Sequence, residues 1–158
     1  MVYQVNREFN SEINKFGCMM MSIIYLAFKK QGKEMTHEAV KAIYDMGKKT
    51  AGIGGLPIIG ADCYINDLVG LSKIAGWPLT FVGKFEPTVK VENDWLIVQK
   101  WRYDRTGFEH FVVGKQANYT GLNTVEGRDF DRRTVEYDPI GHSNTVGNGY
   151  IKRITAFK

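Results

Sequence analysis

Three side chains in this sequence have the chemistry of a hydrolytic catalyst, namely Cys18, His110 and Asp138. A thiolate is a strong nucleophile, an imidazole can accept the thiol proton, and a carboxylate can hold the imidazole in one orientation. Each of the three is predicted at the end of a helix or strand, where the backbone holds a side chain more rigidly than a loop does. Together they suggest hydrolysis through a cysteine nucleophile.

Cys18 opens the longest apolar run of the chain, which contains no charged residue before Lys29. This composition predicts a helix over residues 18–31 that is buried on nearly all sides and ends at Gly32. The exposed N–H groups and the partial positive charge at a helix N-terminus favour the thiolate form of a cysteine. Cys18 is therefore the candidate nucleophile, although a cysteine taken alone is more often an inert part of a core.

His110 lies near the start of a strand predicted over residues 108–113, beside a hairpin turn predicted at residues 104–107. Asp138 follows another predicted strand, residues 134–137, and precedes a proline. A lone histidine at such a position is more often structural, and Asp-Pro pairs are common in turns. The order of a cysteine, a histidine and an aspartate, each at an element boundary, favours catalysis with His110 as base and Asp138 as orienting acid.

The other elements predict an α+β fold, with helices in the first half and an antiparallel sheet in the second. Thr36 is predicted to cap a second helix, and a third helix is predicted over about residues 64–75. Further strands are predicted at residues 79–82, 95–101 and 150–154. We expect one domain, residues 1–158, in which the buried helix that carries Cys18 packs on the sheet.

The composition is that of an ordinary globular protein, with 44% hydrophobic residues, 24% charged residues and a net charge of +4. A loose arginine cluster at residues 128–133 is interrupted by aspartates, so nucleic-acid binding is not expected and is suggested only by the basic pI.

The polar N-terminus has no signal-peptide core, and residues 18–28 are about half the length that crosses a bilayer. We therefore expect a cytoplasmic protein without a membrane span, unless it is released by lysis or a dedicated route, with Cys18 and Cys63 as free thiols. No histidine or cysteine cluster has metal-ligand spacing, so no metal or other cofactor is predicted.

The three catalytic candidates lie in motifs that resemble a known family. These are Phe-Gly-Cys at residues 16–18, His-Phe-Val-Val-Gly at residues 110–114 and Tyr-Asp-Pro at residues 137–139. They are similar to the motifs of papain-like cysteine peptidases, and most similar to the C39-like, bacteriocin-processing branch, over about residues 12–154. The resemblance implies a papain-like fold and hydrolysis of a peptide-type amide bond in a peptide or protein substrate. It makes Cys18 the nucleophile, His110 the general base and then general acid, and Asp138 the orienting residue.

The family also places a glutamine several residues before its cysteine, where the amide donates to the oxyanion. The matching residues 10–14 contain no glutamine, so Asn14, Asn10, Ser11 and Glu12 are the oxyanion candidates, beside the backbone N–H of Cys18. An ionised Glu12 would repel an oxyanion, and Gln4 is expected to lie too far upstream to help. Loss of one donor costs about 10²–10³ in rate. An alternative is therefore a catalytically silent papain-like domain that binds a peptide or protein partner.

Three further residues are weaker candidates. Cys63 follows Asp62 at the start of the third predicted helix, which would favour a reactive thiol, but no histidine is placed to pair with it, so a structural cysteine is the preferred interpretation. His37 and His142 are expected to be exposed, at a helix start and in a turn-rich loop respectively. The long segment 115–133 between the histidine and aspartate strands is a lid, a specificity loop or a simple insertion.

Overall fold

The computed structural model describes residues 1–87, 89–103, 107–114, 135–141 and 149–158. The chain forms two compact units, a helical unit Met1–Thr80 and a unit Phe81–Lys158 that contains a five-stranded sheet. Helices thus precede an antiparallel sheet along the chain, and the predicted α+β class is confirmed. Segment 115–133, His142 and most of the turn predicted at 104–107 lie outside the described residues.

Two consecutive helices open the first unit, α1 (Ser11–Phe16) and α2 (Cys18–Gln31). The apolar run forms α2 over the predicted residues, and Gly32 ends it in the left-handed conformation at φ 66°. Both faces of α2 contribute to the core, through Met20, Met21, Ser22, Ile23, Ile24, Leu26 and Ala27. Residues 11–16 bury a single apolar side chain, Ile13, so their sequence shows no helical period and α1 is not predicted.

Two more helices complete this unit, α3 (His37–Lys49) and α4 (Leu68–Ile74). Thr36 caps α3 as predicted, because its hydroxyl accepts the N–H of Ala39 at 3.1 Å. The predicted start of the last helix at residue 64 is wrong, because Asp67 caps α4 by accepting the N–H of Gly70 at 2.8 Å. Within the described ranges, no helix has both the length and the apolar character that crossing a bilayer requires.

The second unit is an antiparallel sheet in the order β1-β5-β2-β3-β4. Its strands are β1 (Phe81–Phe85), β2 (Leu96–Tyr103), β3 (Glu109–Gly114), β4 (Val135–Tyr137) and β5 (Gly149–Phe157). Four predicted strands match β2 to β5 within a few residues. The strand predicted from residue 79 starts later, because the N–H of Leu79 donates to the hydroxyl of Ser72 at 2.9 Å instead of to another strand.

One face of this sheet carries His110. The register pairs Trp101 with His110 and Gln99 with Val112, so these four side chains leave the sheet on the same side. The same side holds most of an apolar cluster made of Val91, Trp95, Ile97, Trp101, Val112, Ile151, Ile154 and Ala156. The candidate base is therefore set into the apolar face of a sheet, where its position is fixed by strand pairing.

Candidate active site

The second unit brings His110 and Asp138 together. β4 runs antiparallel to β3 with Tyr137 opposite Val113, so the next residue, Asp138, lies beside the strand that carries His110. Nε2 of His110 and Oδ1 of Asp138 are 2.7 Å apart, and both side chains are buried. The imidazole and the carboxylate that the sequence singles out are thus directly bonded.

This bond sets which nitrogen of the imidazole is basic. A carboxylate oxygen only accepts hydrogen bonds, so Nε2 of His110 donates, and in the neutral imidazole Nδ1 is the nitrogen that carries the lone pair. Oδ1 of Asp138 also accepts the backbone N–H of Ile140 at 3.0 Å, and the N–H of Gly141 donates to the Asp138 carbonyl at 2.8 Å. The turn that follows β4 therefore holds the carboxylate, and the carboxylate orients the ring.

Two aromatic residues, Phe108 and Trp101, neighbour the imidazole. The ring of Phe108 is nearly parallel to that of His110, with centroids 6.3 Å apart and planes 19° apart. Trp101 is fully buried and is the direct cross-strand neighbour of His110 on β2. Such an environment has a low local dielectric, which strengthens the bond between His110 and Asp138.

Cys18 is the first residue of α2 in the first unit, where it is a half-buried free thiol. Gly17 precedes it and provides no side-chain cap, and the hydrogen-bond ladder begins with the N–H of Met21 donating to the carbonyl of Gly17. The N–H of Cys18 comes before that ladder, in the part of a helix whose donors have no intrahelical acceptor. The thiol thus occupies the helix entrance that the sequence predicts for it.

Asn14 is fully engaged by the N-terminal segment. Its side-chain Nδ2 donates to the backbone carbonyls of Gln4 at 2.6 Å and Asn6 at 3.0 Å. These two bonds use both N–H groups of the amide, so Asn14 has none left for an oxyanion in this arrangement. Ser11, another of the predicted donors, is the exposed first residue of α1.

Glu12 is an acceptor and not a donor. Its carboxylate pairs with the ammonium of Lys48 and accepts the hydroxyl of Tyr44 at 2.7 Å, and the backbone N–H of Asp62 also bonds to it. Burial acts to raise the pKa of Glu12, but the bonds from Lys48 and Tyr44 outweigh it and hold that pKa below its usual 4.5. An ionised carboxylate cannot donate a hydrogen bond to an oxyanion.

Gln4 lies at the junction of α1 and α2, although its distance from Cys18 in the sequence predicts that it is too far upstream to be an oxyanion donor. The residue is only 2% exposed, and its side-chain Nε2 donates to the backbone carbonyl of Asn14 at 3.1 Å. In a continuous helix that carbonyl would accept the N–H of Cys18, four residues later. No sequence signal marks this residue, because the fold-back of residues 1–9 onto α1 is a tertiary contact.

Cys63 is buried in the core, as the preferred interpretation of a structural cysteine predicts. Cys63 does not begin a helix but ends a short 3₁₀ turn, Ala61–Cys63, in which Asp62 and Cys63 have φ of 55° and 52°. Burial, followed by the negative charge of Glu12, raises the pKa of the Cys63 thiol to about 12. At neutral pH this cysteine is a protonated thiol, which is not nucleophilic.

His37 is also placed differently from the prediction, since it is half-buried. Its ring lies 5.5 Å from the ring of Phe9, and its Nδ1 is 3.4 Å from the carboxylate of Glu8.

Among the residues that the structure describes, no three acidic, histidine or cysteine side chains are grouped closely enough to hold a metal ion. Compared with known proteins, the chain matches no family model, no curated protein and no solved structure.

Proposed function

We propose that this chain is a cysteine peptidase or amidase with a papain-like fold, similar to the C39-like type, that hydrolyses a peptide-type amide bond. The buried 2.7 Å hydrogen bond between His110 Nε2 and Asp138 Oδ1 is the observation that carries the proposal. In the neutral imidazole this bond makes Nδ1 the basic nitrogen, which is what a general base requires. The half-buried thiol at the start of α2 supplies the nucleophile.

The proposed reaction has two stages. First, Nδ1 of His110 takes the thiol proton while Sγ of Cys18 attacks the carbonyl carbon. The resulting imidazolium, stabilised by Asp138, then protonates the leaving amine, so that the C–N bond breaks and a thioester remains on Cys18. In the second stage His110 deprotonates a water molecule that attacks the thioester, and the proton returns to the departing sulfur.

In this proposal the oxyanion is stabilised by the backbone N–H of Cys18 and the side-chain amide of Gln4. Gln4 Nε2 binds the Asn14 carbonyl with one of its two N–H groups, which leaves the second for a substrate oxygen. Asn14 and Glu12 are engaged elsewhere by the bonds described above. Gln4 thus replaces the predicted donors in residues 10–14 as our candidate.

One observation favours the second candidate, a papain-like domain that binds a peptide or protein without cleaving it. Glu12 is ionised within the stretch where the similar family carries its oxyanion glutamine. A negative charge near the reacting carbonyl opposes the tetrahedral intermediate, although it does not prevent the binding of an uncleaved peptide. The two candidates differ in whether acyl transfer occurs, and not in whether Cys18 is reactive.

Alkylation by iodoacetamide and acylation by p-nitrophenyl acetate test the proposal together. We expect both reactions to label Cys18 at neutral pH, and the thioester formed from the ester probe to turn over. Cys18→Ala should abolish both, His110→Ala should slow both by about 10²–10⁴, and Cys63→Ala is the matched control that should retain both. A folded wild-type protein whose Cys18 resists both reagents contradicts the proposal. Alkylation without acyl turnover instead selects the binding domain.

A further inference from the structure

Gln99 is a polar residue at a position whose neighbours are apolar. It is completely buried on the same sheet face as His110, paired with Val112 on β3 and with Ile154 on β5. Its Nε2 has no hydrogen-bond acceptor among the residues that the structure describes. A leucine or methionine would fill this site without burying an amide, so stability alone does not explain a glutamine here.

The oxygen of this amide has one specific partner. Oε1 of Gln99 accepts the indole N–H of Trp101 at 2.9 Å, between two side chains on the same face of β2. A buried indole N–H needs an acceptor, and this bond determines which way the indole ring is turned. Gln99 therefore sets the orientation of Trp101.

Trp101 in turn is the direct cross-strand neighbour of His110, with Cβ atoms about 5 Å apart by the usual geometry of such pairs. Phe108 lies against the same imidazole with its ring nearly parallel. The indole thus neighbours the imidazole across the sheet, while Phe108, just before β3, neighbours it along the chain. A change in the orientation of the indole would change how closely the imidazole is held and how well water is excluded from it.

We propose that Gln99 is a positioning residue for the His110–Asp138 pair, which it holds in place by fixing the indole of Trp101. The relevance of this role to catalysis rests on the function proposed above, but the structural role can be measured without it. Asp138 is the charged group bonded to His110 on this face. Glu109, the preceding residue of β3, points to the other face, where Lys100 and Lys152 bind its carboxylate.

Heteronuclear NMR of the His110 side chain in the full chain tests the proposal. In Gln99→Leu we expect the Nε2–H of His110 to exchange with solvent at least about tenfold faster than in the wild type. We also expect the midpoint of the pH titration of the ring to move by about half a unit or more. Because neither signal depends on hydrolysis, the result stands whether or not Cys18 proves to be a nucleophile.

A second variant removes the same hydrogen bond from its other end. Trp101→Phe lacks the indole N–H and should accelerate exchange in the same direction, and Gln99→Leu in that background should add nothing further. If Gln99→Leu is not recovered in a folded form, Trp101→Phe decides the question. Unchanged exchange in Trp101→Phe, or additive effects in the double variant, would overturn the proposal.

Thr155→Val is the matched control. Thr155 is a buried polar residue of the same sheet, paired with Val98 and therefore on the opposite face from Gln99. Its replacement also removes a buried polar group at nearly constant volume, so a general loosening of the sheet would affect His110 equally in this variant. We expect exchange at His110 to stay at the wild-type rate, and equal acceleration in Thr155→Val and Gln99→Leu would overturn the positioning role.

Discussion

His110 and Asp138 lie 28 positions apart in the chain, yet Nε2 and Oδ1 are 2.7 Å apart in a buried setting. The antiparallel pairing of β3 with β4 closes this distance, and the turn after β4 fixes the carboxylate. A buried polar pair of this kind costs free energy unless both partners are satisfied, so either partner alone would be a liability. Substitution of either partner is therefore the most direct test of the proposed site.

Asp138 should be replaceable by asparagine at much lower cost than by alanine. Asparagine can still accept the Nε2–H of His110 and the N–H of Ile140 through its oxygen, whereas alanine removes both acceptors. We expect Asp138→Ala to slow acylation of Cys18 by about 10²–10⁴ and Asp138→Asn to slow it less. The rates are measured with p-nitrophenyl acetate, with thermal unfolding as the control for folding. Equal losses in the two variants would contradict the orienting role of the carboxylate.

Gln4 should matter for acyl transfer and not for alkylation. Alkylation by iodoacetamide develops no oxyanion, whereas attack on an ester carbonyl does, so only the second reaction needs the amide donor. We expect Gln4→Met, which keeps the length of the side chain, to slow turnover of p-nitrophenyl acetate by about 10²–10³ and to leave alkylation of Cys18 nearly unchanged. A parallel loss of both reactions would show that Gln4 only supports the junction of α1 and α2.

Glu12 should make the stability of the protein depend on pH in the acid range. Because bonds from Lys48 and Tyr44 hold the folded pKa of Glu12 below 4.5, the stabilisation is fully present above that pH and is lost as pH falls through the lowered pKa. We expect Glu12→Gln to lower the free energy of unfolding by about 1–2 kcal/mol at pH 7, near the lower end for bonds to charged groups. Urea unfolding between pH 7 and pH 3 should show this gap narrowing below about 4.5.

The control for this prediction is Glu34→Gln, which changes an exposed carboxylate in the connection between α2 and α3. Its stability should follow that of the wild type at all pH values, because an exposed group contributes little to folding. A gap between Glu12→Gln and the wild type that stays constant down to pH 3 would show that the carboxylate charge is not what stabilises this contact.

Cys63 should not react with thiol reagents in the folded protein. The residue is 2% exposed, and burial together with the charge of Glu12 raises the pKa of the thiol to about 12. We expect intact-mass analysis after iodoacetamide treatment at pH 8 to show a single label, on Cys18, and a second label only after unfolding in urea. Prompt double labelling of the native protein would contradict the buried, protonated state of Cys63.

Much of the fold follows from local patterns in the sequence. The uncharged run after Cys18 and the left-handed Gly32 bound α2, and Thr36 caps α3, because these features act within a few residues of each other. The strands β2 to β5 are likewise predictable from β-branched and aromatic residues. The start of α4 is missed because Tyr64 and Asn66 bond to the backbone of residues 58–60 instead of beginning a helix, and this pairing does not show in the local pattern.

The sequence by itself determined the α+β order of elements and the candidate residues Cys18, His110 and Asp138, because residue type and position at an element boundary are local properties. Tertiary structure alone decided that His110 and Asp138 are bonded, that Lys48 and Tyr44 lower the pKa of Glu12, and that Gln4 reaches the Asn14 carbonyl. Each of these facts depends on segments distant in the chain that strand pairing or helix packing brings together. The lowered pKa of Glu12 depends on the resulting burial and charge, which no local pattern encodes.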